Sequence, residues 1–121
     1  MKAVDLDEVF ASIRTHWDPH IVGELNGQLV KCTKLLGDFI WHHHEREDEL
    51  FLVHRGTLRM ELRDGSVLIG PGQFYVVPRG VEHRPCAPGE VEVVLFEPAS
   101  TLNTGNVRNE LTKTELKRVG A

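Results

Sequence analysis

Between Pro19 and Pro98 the sequence alternates short β-prone runs with tight turn signals, and this rhythm constrains the fold more than any other feature of the chain. Asn26-Gly27 separates the run 21–25 from 28–35, and Asp64-Gly65 separates 57–63 from 66–69; both dipeptides accept the positive φ angles of a two-residue hairpin turn. Gly70-Pro71-Gly72 stops the next run, 73–77 follows, and Pro78-Arg79-Gly80 turns the chain before 81–84. The last clear strand is 91–96. At least seven short strands, with no helix between them long enough for a parallel crossover, predict an all-β sandwich or closed barrel of the jelly-roll type.

The flanks read differently. Leu6, Val9, Phe10 and Ile13 recur at helical spacing behind Asp5 and Asp7, whose carboxylates suit a helix N-terminus, so a short amphipathic helix is expected within 5–15. At the other end Thr112-Lys113-Thr114-Glu115 before Leu116 has the form of a capping box and predicts a short terminal helix. A length of 121 residues leaves too little chain for two cores, so one domain over 1–121 is expected, with the barrel core at about 20–98.

Charge and hydropathy exclude several partner classes. Lys and Arg number 14 against 18 Asp and Glu, with no basic block to neutralise a run of phosphates, so nucleic acid is not an expected partner. The apolar runs fall far short of the ~20 residues of a membrane-spanning helix. Acidic residues stand near the N-terminus where a secretory signal would carry its apolar stretch, so the expected location is cytoplasmic and the expected state of Cys32 and Cys86 is reduced, without a disulfide.

The chemistry concentrates in histidine. His42-His43-His44 follows the apolar run Phe39-Ile40-Trp41 and is expected at a strand end, where residues two apart share a face. His42 and His44 then point together and His43 points away. Two imidazoles on one face can converge on an ion at ~2.0–2.1 Å, and Glu49, opening the next run, can swing back to the same ion.

The longer pattern sets these residues in register. Gly37-x4-His42-x-His44-x4-Glu49-x6-Gly56, followed by Gly72-x5-Pro78-x-Gly80-x2-His83, closely resembles the two signature motifs of the cupin superfamily. The first usually has one more residue between its glycine and first histidine, and the second usually ends in asparagine where Ala87 stands. The resemblance implies a double-stranded β-helix, or jelly-roll, barrel in which His83 joins His42, His44 and Glu49 around one divalent transition-metal ion. Imidazole and carboxylate together suit Fe, Mn, Ni, Zn or Cu, and four protein ligands leave open positions on a six-coordinate ion. The Glu97-Pro98-Ala99 exit and the Asn103-Thr104-Gly105-Asn106 tail resemble small cupins of the mannose-6-phosphate isomerase-like group.

Around that site Ile40, Phe51, Val53, Tyr75 and Val77 are expected to line a substrate pocket. Asp48 is the natural substitute for Glu49, and His43 for a neighbouring ligand if the register slips. His16 and His20 read as surface residues, His54 as structural, Trp41 as core or interface, and Arg55 and Arg84 as wet-face residues. The expected function is a metal-dependent enzyme on a small polar organic substrate, of isomerase, lyase or dioxygenase type. The alternative is a binding or sensor module whose metal anchors a ligand. A barrel this short exposes strand edges, which predicts a homodimer.

Overall fold

A computed structural model describes residues 2–119. One helix, α1 (Leu6–Ser12), precedes eight strands: β1 (His20–Leu25), β2 (Gln28–Asp38), β3 (Glu49–Arg55), β4 (Leu58–Leu62), β5 (Gly65–Ile69), β6 (Phe74–Val77), β7 (His83–Pro98) and β8 (Lys117–Arg118). The main hydrogen-bonded path runs β5-β4-β7-β2-β1-β8, and β3 pairs with both β6 and β7. This is a jelly-roll arrangement, as the turn rhythm predicts, but the sheet does not close into a complete ring: β5, β6 and β8 each pair on one side only. No helix among the described residues is long and apolar enough to cross a membrane.

β7 organises the architecture. The runs 81–84 and 91–96, expected as separate strands, belong largely to one 16-residue strand. Its first part pairs with β4 (Leu62↔His83, Met60↔Pro85) and its second with β3 (Phe51↔Leu95, Val53↔Val93), while β2 runs antiparallel along both. The two parts meet at an irregularity: Leu35 pairs with Val91 and Gly37 with Ala87, so that residues 88–90 are left over and bulge outward. Extra residues in one strand bend it, which lets β7 serve two sheet faces. Gly37, at φ +87°, is the break that the shortened spacing before His42 foreshadows.

Alternation along the strands builds a hydrophobic cluster on each face of the one sheet. Leu35, Phe51, Val53, Met60, Val91 and Val93 point inward into the larger cluster, which Ala87 also joins. An alanine therefore fills apolar space where the motif usually carries asparagine. The opposite face of the same strands presents Cys32 and Val94 to Val9, Phe10 and Ile13, so α1 packs on the outside of the sheet. Asp5 caps that helix by accepting the Glu8 amide, and α1 is shorter than the expected span because Ile13 is already extended. Cys32 and Cys86 are both buried and free.

Three local expectations are corrected. Asn26 (φ 50°) and Gly27 (φ 78°) form the expected turn, but at the second hairpin Leu62 pairs directly with Gly65, so the turn is Arg63-Asp64. No terminal helix forms among the described residues. The Thr112 hydroxyl, which a capping box would turn toward its own helix, instead accepts the Asn109 amide and meets Thr104, and the chain continues to β8 alongside β1. The histidine triplet is not at a strand end: β2 stops at Asp38, and His42 makes only an isolated bridge, to His83.

Gly56 and Gly37 share nearly the same φ, +86° and +87°, but a Cβ on Gly56 would lie 2.7 Å from the Glu90 carbonyl oxygen, whereas one on Gly37 meets open space. Gly37→Ala should therefore cost about 1 kcal/mol of backbone strain, and Gly56→Ala about 2–4 kcal/mol, because a clash adds to the same strain. Urea unfolding of both variants checks the order; equal losses would contradict it.

Candidate metal centre

The segment between β2 and β3 carries the first two histidines, and backbone bonds to the next turn set its path. His42 N–H donates to the His83 carbonyl at 3.1 Å, His83 N–H returns a bond to the His42 carbonyl at 2.9 Å, and Gly80 N–H donates to the His44 carbonyl at 2.7 Å. The stretch that bears His42 and His44 is thereby laid against the stretch that bears His83. Glu49 enters from the first position of β3, on the same inward parity as Phe51 and Val53.

These contacts bring together the residues that the sequence singles out. One ligand atom each from His42, His44, Glu49 and His83 lies within 4.8 Å of all the others, and all four residues are buried. His44 Nε2 and His83 Nε2 stand 3.3 and 3.4 Å from Glu49 Oε1. Atoms bound at ~2.1 Å to one ion sit about 3.0–3.4 Å apart when adjacent, so these spacings are those of a ligand set. The chemistry of the donors agrees. His42 and His83 hold their Nδ1 atoms 2.9 Å from the carbonyls of Ile40 and Val81, an arrangement that commits Nδ1–H to the backbone and leaves the Nε2 lone pair free. His44 Nε2, His83 Nε2 and Glu49 Oε1 are buried without a hydrogen-bond partner among the described residues. Orphaned acceptors at this depth are costly unless something electropositive meets them. The residues therefore form a group that can hold a metal ion.

The protonation states suit a cation. Burial, with the neighbouring His83, pushes the His42 imidazole down to about 4, so it is neutral near pH 7. Burial pushes Glu49 upward, but its contacts with His44, His83 and Glu97 outweigh that and hold it well below the ordinary carboxylate range.

Beside the ligands lies a cavity of about 40 Å³, reached by His42 and Glu49. Trp17 stacks on Phe39 at 4.6 Å and Phe39 meets His42 edge-on at 5.4 Å, giving the cavity an aromatic wall that leads to the ligand set. Thr33, Glu97 and Asn103 supply its polar lining. Lys31 Nζ donates to Glu97 Oε1 at 2.9 Å with both side chains almost fully buried, while Glu97 Oε2 and Thr33 Oγ1 have no partner among the described residues. Burial, then the adjacent Glu49, pushes Glu97 well above the usual carboxylate range, and Lys31 pulls against that shift.

Of the five residues expected to line a pocket, Phe51 does so. Val53 and Val77 are sealed in the larger core, Tyr75 packs against that core, and Ile40 lends its carbonyl to His42, because the cavity opens toward β2 and not toward β6. Asp48 accepts the backbone and side chain of Arg79 instead of joining the ligands. His43 turns its ring toward Glu45, His54 pairs with Asp7, His16 with Glu90, and His20 with the Asp18 carbonyl. Trp41 lies under Arg63 at 3.9 Å, and Arg84 pairs with Glu61. Lys31, Thr33 and Glu97 belong to neither of the two signature motifs in the sequence. Their signal was available: each shares the parity of core residues on its strand, Leu35 on β2 and Val93 and Leu95 on β7, so each is a polar residue pointed at the interior.

The sequence profile of the Cupin domain family matches residues 36–97 of the 121. The chain belongs to that family. Among solved cupin-like structures, a cupin-2 domain containing protein from Shewanella frigidimarina is 36% identical with a TM-score of 0.78, covering 79% of this chain and 94% of that one. Protein NMB1881 from Neisseria meningitidis is 32% identical with a TM-score of 0.73, covering 81% of this chain and all of its own. In sequence, the uncharacterized protein YdbB of Bacillus subtilis is 31% identical over 64 residues, which span 52% of this cupin and only 57% of YdbB.

Burial of neutral His42 has a pH signature in the metal-free protein. The unfolded side chain titrates near 6.5 and the folded one at about 4, so the unfolded chain binds more protons between these values. The stabilisation, on the order of 3 kcal/mol, is complete above ~6.5 and is lost as pH falls toward 4. Chemical denaturation of chelator-treated protein from pH 7.5 to 4 should show this decline, diminished in His42→Gln; a flat profile would contradict a neutral buried His42.

Proposed function

We propose that this cupin is a metal-dependent enzyme acting on a small oxygenated organic substrate that enters beside His42 and Glu49. The observation that carries the reading is a set of buried, unpartnered ligand atoms next to a cavity whose lining holds two further unpartnered oxygens, on Thr33 and Glu97. His42, His44, Glu49 and His83 would hold one divalent transition ion, of Fe, Mn, Ni, Zn or Cu type. Such an ion supplies Lewis-acid polarisation of a carbonyl or hydroxyl oxygen, or a site for dioxygen.

The remaining work falls to the chain itself. The Trp17–Phe39 stack would give a substrate an apolar wall beside His42. Thr33 Oγ1 can donate to or accept from a substrate hydroxyl, and Glu97, anchored by Lys31, meets it from the other strand. Isomerase or lyase chemistry and dioxygenase chemistry both fit this arrangement, on a substrate such as a sugar or keto acid whose oxygen the ion would polarise. A binding or sensor role for the same site predicts ligand capture without turnover. We also propose a cytoplasmic homodimer that covers the outer face of β6, where Phe74 is 62% and Val76 41% exposed.

The test is a screen of the metal-loaded protein against small hydroxy acids, keto acids and sugars, read by thermal shift and by product formation or oxygen uptake. Metal-dependent turnover that Thr33→Val weakens mainly through KM, with metal content unchanged, is expected. Ligand-induced shifts with no turnover under any of the metals would replace the enzyme reading by the sensor reading.

A further inference from the structure

The segment from β2 to β3 has no strand partner over residues 43–48, although it carries His44 and adjoins His42. The C-terminal stretch 101–112, outside the region 36–97 that matches the family, reaches back to it. Asn106 Oδ1 accepts the His43 amide at 2.8 Å, and the Asn106 amide donates to the His43 carbonyl at 3.0 Å. One asparagine thus completes a two-bond pairing with the residue between two ligand histidines. Gly105 brings its backbone so near that a Cβ there would lie 2.2 Å from the His43 carbonyl oxygen and 3.1 Å from His42 Cδ2, and its φ of +56° suits glycine.

The stretch is itself built to hold this position. Thr104 is fully buried and Thr101 nearly so. Asn103 donates to the Leu111 carbonyl and accepts the Lys113 amide, Thr104 and Thr112 share a hydroxyl–hydroxyl bond of 2.7 Å, and Gly105 and Val107 amides close turns on Leu102 and Thr104. Asn103 also lines the cavity beside His42.

We propose that residues 101–112 form a clamp on the histidine-bearing segment, with Asn106 and Gly105 as positioning residues for His42 and His44. The proposal rests on the metal-centre reading above. Without the clamp, the backbone of His43 loses both of its fixed partners, and the two neighbouring imidazoles lose a defined spacing to Glu49 and His83. Groups that orient metal ligands from behind typically change affinity by about 10- to 100-fold when removed.

The test uses Co(II) as probe with full-length wild type, Asn106→Ala, Asn106→Asp and Gly105→Ala. Affinity is read by chelator competition, ligand geometry by the visible spectrum, and folding by the thermal midpoint of the metal-free protein. Asn106→Ala should weaken Co(II) binding by about 10-fold or more and change the visible bands. Asn106→Asp, which keeps the acceptor for the His43 amide, should restore both. Gly105→Ala should reproduce or exceed the loss; if it fails to fold, the Asn106 pair decides alone. Wild-type affinity and spectrum in Asn106→Ala, or failure of Asn106→Asp to restore them, would overturn the clamp while leaving the metal centre intact. Wild-type protein that binds no Co(II) would instead defeat the metal reading itself.

Discussion

Two backbone hydrogen bonds between His42 and His83 join the halves of the site. They are reciprocal and of ordinary length, and they lie where β2 has already ended and β7 begins. Everything around the site is arranged to make that pairing possible. β7 must bend at 88–90 so that one strand reaches β3 at one end and β4 at the other, and β2 must release its register at Gly37 so that the histidine segment can cross to His83. His42 and His83, 41 positions apart in sequence, are thereby brought together with imidazole centroids 4.2 Å apart.

Much of this was legible from the order of residues because it depends on local chemistry. Asn26-Gly27 accepts a backbone conformation that few other pairs adopt, and the turn signals between Pro19 and Pro98 mark out an all-β fold. The alternation of His42 and His44 against His43 also survives, although a loop and not a strand carries it. The misplaced features depend on distant partners. Nothing near Val81 or Val91 reveals that both runs belong largely to one bent strand, since the bend is defined by its pairing with β2. Thr112-Lys113-Thr114-Glu115 satisfies the local rule for a helix start, yet the Thr112 hydroxyl is committed to Thr104 and Asn109.

The pocket shows the same division between local and distant information. Apolar identity suggested Val53, Tyr75 and Val77 as lining, but the interior of a small jelly roll is mostly packed core, which Val53 and Val77 fill and Tyr75 packs against. The open space lies instead near polar residues that such a core cannot cover. A buried Lys31–Glu97 pair gains little net stability over apolar residues of the same volume, because desolvation offsets the attraction. Its presence near Glu49 is better explained by what it presents to the cavity. The same logic applies to the C-terminal stretch, which lies outside the matched domain yet touches the segment between the first two histidines.

We propose that one ion binds among the three imidazoles and the Glu49 carboxylate. X-ray absorption spectroscopy on metal-loaded protein, prepared without a histidine tag, tests it most directly. About one tightly held ion per chain is expected, coordinated by nitrogen and oxygen at ~2.0–2.2 Å, with the outer-shell scattering of three imidazole rings. An ion surrounded by water-like oxygen alone, or no ion retained from any of the five metals, would contradict it.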